Sequence, residues 1–183
     1  MLNRLYDNWV YGGFLMGLAL LFALPLLQSG LSWAGALTLG SLSAYAIHQY
    51  EEHDADRFRL FVNAQIAKGR AGLSRADVFF INVVVVWGLI ILSLWLTERR
   101  GQEWASLPAL LMVVNALAHV SQAMIMRKAN PGVWTALALF LPLGCYILWQ
   151  VWPQVQPATL AICLVIILAL HAGIALRARR ATT

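Results

Sequence analysis

A short segment at the end of a long apolar stretch combines imidazole and carboxylate side chains, reading HQYEEH over residues 48–53. In a helix, Glu51 lies about 60° from His48 on one side and Glu52 about 40° from it on the other, so all three share one face. Imidazole nitrogens and carboxylate oxygens are the usual ligands of Zn, Fe and Mn, and a His and a Glu one turn apart can hold one ion from a single helix. The segment therefore predicts a divalent metal site, with Zn or Fe as the best-suited ions.

Polar residues recur within other apolar stretches of the chain. Asn115, His119 and Gln122 follow one stripe of a helix at i, i+4 and i+7, while Asn82 and His171 each interrupt a further apolar stretch. Unpaired polar groups inside a membrane are costly, so each should have a partner. Counting about 1.5 Å per residue from the nearest charged residue places the polar groups of all four helices roughly 8 to 12 Å deep. They are expected to converge on one site.

Three of these side chains are the predicted metal ligands: His48, Glu52 and His119. Three protein ligands leave a position open for water, as in catalytic zinc sites. The spacing H-x-x-E-E is similar to the inverted zincin arrangement H-x-x-E-H, in which Glu51 stands at the position of the base. Glu51 is therefore expected to take the proton of a metal-activated water.

Further polar side chains complete the predicted site. Asn115 or Asn82 is expected to orient a ligand or a substrate, which makes Asn115 a candidate catalytic residue beside Glu51. The other polar residues expected to line the site are Tyr45, His53, Arg57, Asn82, Gln122 and His171.

Other interpretations of the cluster stay open at this point. Two acidic residues with several histidines can hold two irons for oxygen chemistry, or relay protons or cations across a bilayer. A structural interpretation also stands, in which Glu51, Glu52 and His53 form the solvated end of a helix and pair with Arg57 and Arg59.

The elements that position these residues are strongly apolar. Of 183 residues, 61% are hydrophobic and 11% are charged, far below the roughly 25% charged residues of ordinary soluble domains. Runs of about 20 apolar residues match the roughly 30 Å hydrocarbon core of a bilayer. The sequence predicts an all-α polytopic transmembrane bundle of about six helices, forming a single domain over residues 1–183. The predicted spans are Trp9–Gln28, Leu31–His53, Val78–Thr97, Ala105–Met126, Pro131–Trp152 and Ala158–Leu176.

The distribution of basic residues predicts the orientation of the bundle. With six spans, 11 of the 13 Lys and Arg residues fall on the side of both termini, and only Arg99 and Arg100 fall on the other. Because cytoplasmic loops retain Lys and Arg, both termini are expected to be cytoplasmic. The long connection 54–77 mixes apolar and basic residues and is expected to lie partly along the cytoplasmic membrane surface. Basic residues spread over short loops do not form the stripe typical of a nucleic-acid partner.

Residues 48–52 resemble the motif of the HXXEE family of small bacterial membrane proteins. The pair Asn115 and His119 and the turn at residues 130–132 look like later elements of the same family, so the resemblance extends over about residues 37–142. It implies a helical protein of the bacterial inner membrane and directs attention to His48, Glu51 and Glu52. Because the family has no assigned reaction, the resemblance implies no substrate.

The leading hypothesis is a membrane-embedded, metal-dependent enzyme, a hydrolase or isomerase acting on a lipid or other apolar substrate from the bilayer or the cytoplasmic leaflet. The sequence has no Gly-rich phosphate loop or nucleotide motif. A metal-ion or proton carrier using the same His and Glu cluster is the alternative. A non-enzymatic membrane assembly partner, in which the cluster is a polar packing network without metal, is the third hypothesis.

Overall fold

The computed structural model describes residues 2–68 and 72–179, which form an all-helical bundle. This confirms the predicted fold class. Six long helices follow one another, and a longer connection that contains one short helix joins the second to the third. The helices are α1 (Leu2–Gly30), α2 (Trp33–His53), α3 (Arg57–Val62), α4 (Arg75–Arg99), α5 (Gln102–Met126), α6 (Val133–Gln154) and α7 (Pro157–Arg179).

Five helices of the described chain, α1 and α4 to α7, are long and apolar enough to cross a membrane. They indicate an integral membrane protein. The helix α2, which the sequence also predicts as a span, is less apolar than these five helices. It lies inside the bundle, with 14 of its 21 residues buried, against 4 of 23 in α7. An enclosed helix can carry polar side chains that would be costly against lipid.

The core forms around α2, which packs against α1, α4, α5 and α6. Its centre contains Tyr45, Leu111, Phe140 and Ile167, from four different helices. Backbones approach closely where α1 passes α2, because Gly17 has only a hydrogen where a side chain would collide with Ala46. This packing positions α2 and, with it, the side chains near its end.

We call the end of the bundle where α2 and α5 end, and where α4 and α6 begin, the site end. Asp7 of α1 accepts a hydrogen bond of 2.7 Å from Arg75, and Arg177 of α7 donates one of 2.9 Å to Asp77. The first turns of α1 and the last turns of α7 therefore lie at the site end as well. Its location on the cytoplasmic side stays a prediction.

Two of the long helices contain π turns near the site end, at Phe80–Val86 in α4 and at Ala136–Phe140 in α6. Such turns add one residue to a helical turn and are frequent at functional sites. The first contains Asn82, and in the second the ring of Phe140 packs 4.1 Å from that of His48. Both turns thus lie next to the predicted site.

The connection between α2 and α4 packs onto the bundle through its apolar residues. Val62 and Leu73 form a small buried cluster with Val78 of α4 and Ala178 of α7. Hydrogen bonds to Asp56 raise the pKa of the Arg59 guanidinium above its ordinary value. Residues 69–71 of the predicted surface segment lie outside the described residues, and the segment's position at the membrane surface stays a prediction.

Candidate metal centre

Three side chains from two helices converge at the site end. Nε2 of His48 lies 3.6 Å from Oε2 of Glu52, and Nε2 of His119 lies 3.3 Å from Oε1 of Glu52. One ligand atom from each residue lies within 4.8 Å of the other two, and all three residues are buried. Metal bonds of about 2.0 to 2.1 Å at tetrahedral angles place neighbouring ligand atoms about 3.3 Å apart. The spacing of the cluster therefore suits a single divalent ion.

The chain leaves α2 through a strained turn. Ala55 and Asp56, neither of them glycine, both adopt left-handed backbone conformations, with φ of 51° and 63°. Such conformations cost of the order of 1 kcal/mol each and persist only where the surroundings enforce them. The turn brings the ring of Phe58 to 5.1 Å from that of His53, which encloses the end of α2.

Arg57, expected among the polar residues lining the site, lies outside the cluster. Its guanidinium donates to the backbone oxygens of Glu51 and Asp54 at 2.6 and 3.0 Å. The last carbonyls of a helix lack partners within the helix, and a basic side chain nearby can satisfy them. Arg57 therefore stabilises the end of α2, and Glu52 is buried among histidines instead of pairing with arginine in solvent.

The orientation of His48 is set by Thr135 of α6. The hydroxyl of Thr135 donates its one proton to Oε2 of Glu51, because a carboxylate only accepts. Oγ1 of Thr135 must then accept from Nδ1 of His48, which lies 2.8 Å away. The proton of a neutral His48 is thereby held on Nδ1, and its lone pair is on Nε2, facing Glu52.

Glu51 faces α6, away from the metal cluster. Its carboxylate accepts from the backbone nitrogens of Trp134 and Thr135, at 3.2 and 2.7 Å, and so caps the start of α6. This placement differs from the expectation that Glu51 is a base beside the metal ligands, because its oxygens are already occupied by these donors. The hydroxyl of Thr135 links Glu51 to His48.

His119 is oriented in the same way by Asn130. The amide nitrogen of Asn130 donates to the backbone oxygen of His119 at 2.8 Å, which turns its Oδ1 towards Nδ1 of the ring at 2.9 Å. Nδ1 of His119 is therefore a donor, and its Nε2 faces Glu52. A hydrogen bond at the second ring nitrogen is typical of metal-binding histidines.

Two imidazole nitrogens thus face the carboxylate of Glu52 from the cluster, and His53 places a third imidazole nitrogen 3.1 Å from its Oε2. Nε2 of His48 is buried and has no hydrogen-bond partner within residues 2–68 and 72–179. A buried carboxylate that faces buried imidazole nitrogens at this separation is stabilised either by a proton on one of the rings or by a metal ion between them. The cluster of His48, Glu52 and His119 can therefore hold a metal ion.

The turn between α5 and α6 leaves room for both rings. Gly132 has φ of 92°, and a Cβ at this position would lie 2.9 Å from Cε1 of His48 and 2.9 Å from Cε1 of His119. A side chain here would collide with both imidazoles. Glycine is thus required at this position by backbone conformation and by the approach of the two rings.

A cavity of about 180 Å³ adjoins the cluster and is bordered by Glu52 and His119. Most of its wall is apolar, including Ile81, Leu111 and Ile174. The polar residues that line it are Tyr45, His53, Asn82, Asn115, Gln122 and His171. The four helices predicted to place polar groups at one depth therefore do contribute to one cavity.

These polar residues differ in whether their hydrogen bonds are already satisfied. Asn82 binds Gln49 and the backbone of Val78, both at 2.9 Å, and Nδ1 of His171 lies 2.8 Å from the backbone oxygen of its own helix at residue 167. In contrast, the hydroxyl of Tyr45 and Oδ1 of Asn115 are buried without a partner in the described part of the chain. Tyr45 and Asn115 therefore hold buried polar atoms ready for a ligand, and Nε2 of His53 is likewise buried without a hydrogen bond among the described residues.

Thr135, Asn130 and Gln49 are the partners that reasoning from the sequence did not assign to the site. Gln49 links α2 to α4, since its Oε1 also accepts from the indole nitrogen of Trp87 at 2.8 Å. The sequence did contain a signal for Thr135. The helix α6 begins directly after the Pro-Gly turn at residues 131–132, and a hydroxyl residue in the first turn of such a helix is well placed to reach the end of a neighbouring helix.

Replacing Thr135 with Val is expected to weaken Zn²⁺ binding about 10- to 100-fold, the usual effect of losing the partner of a metal-binding histidine. Val has the same shape but cannot accept from His48. Competition with a chromophoric chelator measures the affinity. Thr135→Ser should restore most of it, and equal affinities for the Val and Ser variants would contradict the assigned role of the hydroxyl.

A family of known proteins matches the region of the chain that contains the cluster. Residues 39–147 match the model of a family described as protein of unknown function with HXXEE motif. No curated protein matches the chain, and no solved structure does. The match spans more than half of the 183 residues and contains all three residues of the cluster, so the chain belongs to the HXXEE family.

Proposed function

We propose that this protein is a membrane-embedded, metal-dependent enzyme, a hydrolase or isomerase acting on a lipid or other apolar substrate from the cytoplasmic side. The observation that carries the proposal is a buried set of two imidazoles and one carboxylate, with both free ring nitrogens directed at the carboxylate, on the wall of an apolar cavity. The excess of Lys and Arg on the side of both termini supports the cytoplasmic orientation. We take residues 1–183 as one membrane domain.

The ligand set favours a catalytic role over a purely structural one. Two histidines and one carboxylate are shared by catalytic zinc sites and non-haem iron sites, which keep positions open, whereas structural zinc sites use four protein ligands. When bound, such an ion supplies a Lewis acid that polarises a carbonyl or activates water. His48, Glu52 and His119 would hold it.

The remaining residues would position the substrate and keep water out. Tyr45 and Asn115 offer polar atoms to a substrate beside the metal ligands. The apolar wall excludes bulk water, which strengthens electrostatic interactions inside the site. Glu51 acts through Thr135 to hold His48, and so has a positioning role in this proposal.

Elemental analysis of the detergent-purified protein tests the proposal. We expect close to one ion of Zn or Fe per chain in the wild type, and less than about a tenth of that in His48→Ala and His119→Ala, because two ligands hold a divalent ion poorly. His171→Ala is the matched control, since His171 lines the same cavity but binds its own helix backbone. Wild-type protein that is folded, as judged by circular dichroism, but free of metal would overturn the proposal.

A metal-ion or proton carrier is the second candidate, and one observation favours it. A second cavity, of about 250 Å³ at the site end, includes the charged residues Asp7, Asp56 and Arg75 in its lining, and His53 borders both this cavity and the apolar one. Nε2 of His53 lies 3.1 Å from Oε2 of Glu52, so one imidazole borders both cavities and contacts the cluster. Zn²⁺ or proton flux into proteoliposomes tests this function, and a silent result would remove it.

A further inference from the structure

We propose that the apolar cavity binds a single-chain alcohol, an unbranched hydrocarbon with one hydroxyl head group, which enters sideways between α5 and α7. The inference names a substrate class and therefore rests on the proposed function for its reaction. The binding itself does not require the metal.

The polar end of the cavity is matched to a hydroxyl group. The hydroxyl of Tyr45 and Oδ1 of Asn115 line it, and both atoms are buried with no partner among residues 2–68 and 72–179. Tyr45 is 2% exposed. A phenol can donate a hydrogen bond and an amide oxygen can accept one, whereas a ligand hydroxyl does both at once. A ketone or ester carbonyl would satisfy Tyr45 only.

This polar end lies next to the proposed metal ligands. Tyr45 precedes His48 by three residues on α2, and Asn115 precedes His119 by four on α5, so each shares a helix face with a ligand. The rings of Tyr45 and His48 are 6.3 Å apart. A hydroxyl bound here would therefore lie beside the centre of the site.

The rest of the cavity suits a hydrocarbon chain. Its walls include Ile81, Val86, Leu170 and Ile174, and its volume of about 180 Å³ exceeds the roughly 150 Å³ of an apolar protein cavity that admits benzene. A phospholipid head group with two chains is far larger than this space. One chain segment bearing one small polar group is the ligand that fits.

Two alanines indicate where such a chain enters. Ala118 of α5 and Ala175 of α7 both line the cavity and are both exposed on the outside of the bundle. A contact of 3.6 Å between Ser106 and Cys163 fixes the register of these parallel helices at an offset of 57 residues. The same offset relates Ala118 to Ala175, so the two small side chains lie at one level and leave a lateral opening. Lipid surrounds this face of a membrane protein.

Photocrosslinking tests the inference, using 1-dodecanol that carries a diazirine in mid-chain and metal-free protein in lipid nanodiscs. We expect labelling of cavity residues such as Leu170 and Ile174, reduced at least fivefold in Ala118→Trp and in Ala175→Trp. Ala172→Trp is the matched control, because Ala172 is exposed on α7 but does not line the cavity. Its labelling should equal that of the wild type.

Competition distinguishes the head group from the chain. Excess unlabelled 1-dodecanol should suppress the labelling of Leu170 and Ile174 at least fivefold more than dodecane does, and this preference should vanish in Tyr45→Phe. Labelling confined to lipid-facing residues, or equal in both Trp variants and the control, would overturn the inference. Because the labelled protein is metal-free, a failure of the labelling test does not bear on metal binding. Conversely, a protein whose cavity is labelled but that never binds metal would overturn only the proposed enzyme.

Discussion

Replacing Glu52 with Gln is expected to abolish the stabilisation of the protein by Zn²⁺. The variant keeps the shape of the side chain but loses the charge that faces three imidazole nitrogens within 3.6 Å. A ligand that binds only the folded state at 100 times its dissociation constant adds about 2.7 kcal/mol to the free energy of unfolding. The wild type should therefore unfold at a higher temperature with Zn²⁺ present, and the variant should not. Thermal unfolding with and without ZnCl₂ measures both.

Glu103→Gln is the control for this prediction. Glu103 is also a carboxylate with a polar partner, since it accepts from Thr159 at 2.9 Å, but it lies at the opposite end of α5 from His119. The thermal shift with Zn²⁺ should persist in this variant. A shift that survives in Glu52→Gln would mean that Zn²⁺ binds elsewhere on the protein.

Replacing Gly132 with Ala is expected to lower the affinity for Zn²⁺ at least tenfold and to destabilise the fold. The added Cβ would lie 2.9 Å from carbon atoms of both His48 and His119, so both rings must move. The left-handed backbone, at φ of 92°, adds a strain of about 1 to 3 kcal/mol for a residue with a side chain. Chelator competition measures the affinity, and thermal unfolding measures the stability.

Gly101→Ala separates the two effects. Gly101 also has a positive φ, of 149°, but the nearest neighbour of an added Cβ would be 3.8 Å away, at Glu103. This variant should share the backbone strain and keep its affinity for Zn²⁺. Equal losses of affinity in the two variants would mean that strain alone, and not contact with the imidazoles, explains the effect at Gly132.

Much of the fold follows from hydrophobic run length, because a bilayer imposes that length. The helix ends lie within three residues of the predicted span ends, except that α1 begins at Leu2 instead of Trp9. The polar residues before Trp9 hid this extension. What run length did not reveal is that α2 is enclosed by the other helices, since burial within protein and burial in lipid leave similar patterns.

The three predicted ligands came together because helix geometry constrains them strongly. His48 and Glu52 are one turn apart on a rigid helix, and His119 lies at a similar distance from the same end of the bundle. Face and depth are therefore sufficient to predict this contact. Neither depends on the details of a loop.

The surroundings of the cluster depend on loops and could not be derived in this way. Around the axis of α2, Glu51 and Glu52 lie on opposite sides of His48. The position of α6 decides which of the two faces the His48 ring. The turn after α2 likewise decided that Arg57 binds backbone oxygens. In the resulting structure, the two acidic residues of the motif have separate roles: Glu51 joins α2 to α6, and Glu52 faces the imidazoles.

The most direct test of the metal centre is X-ray absorption spectroscopy at the K-edge of the metal that co-purifies with the wild type. The structure predicts outer-shell scattering from two imidazole rings, with nitrogen and oxygen donors at about 2.0 to 2.2 Å, and a count of one ring in His48→Ala and in His119→Ala. A spectrum without imidazole scattering, or one unchanged by either substitution, would contradict a metal site formed by His48, Glu52 and His119.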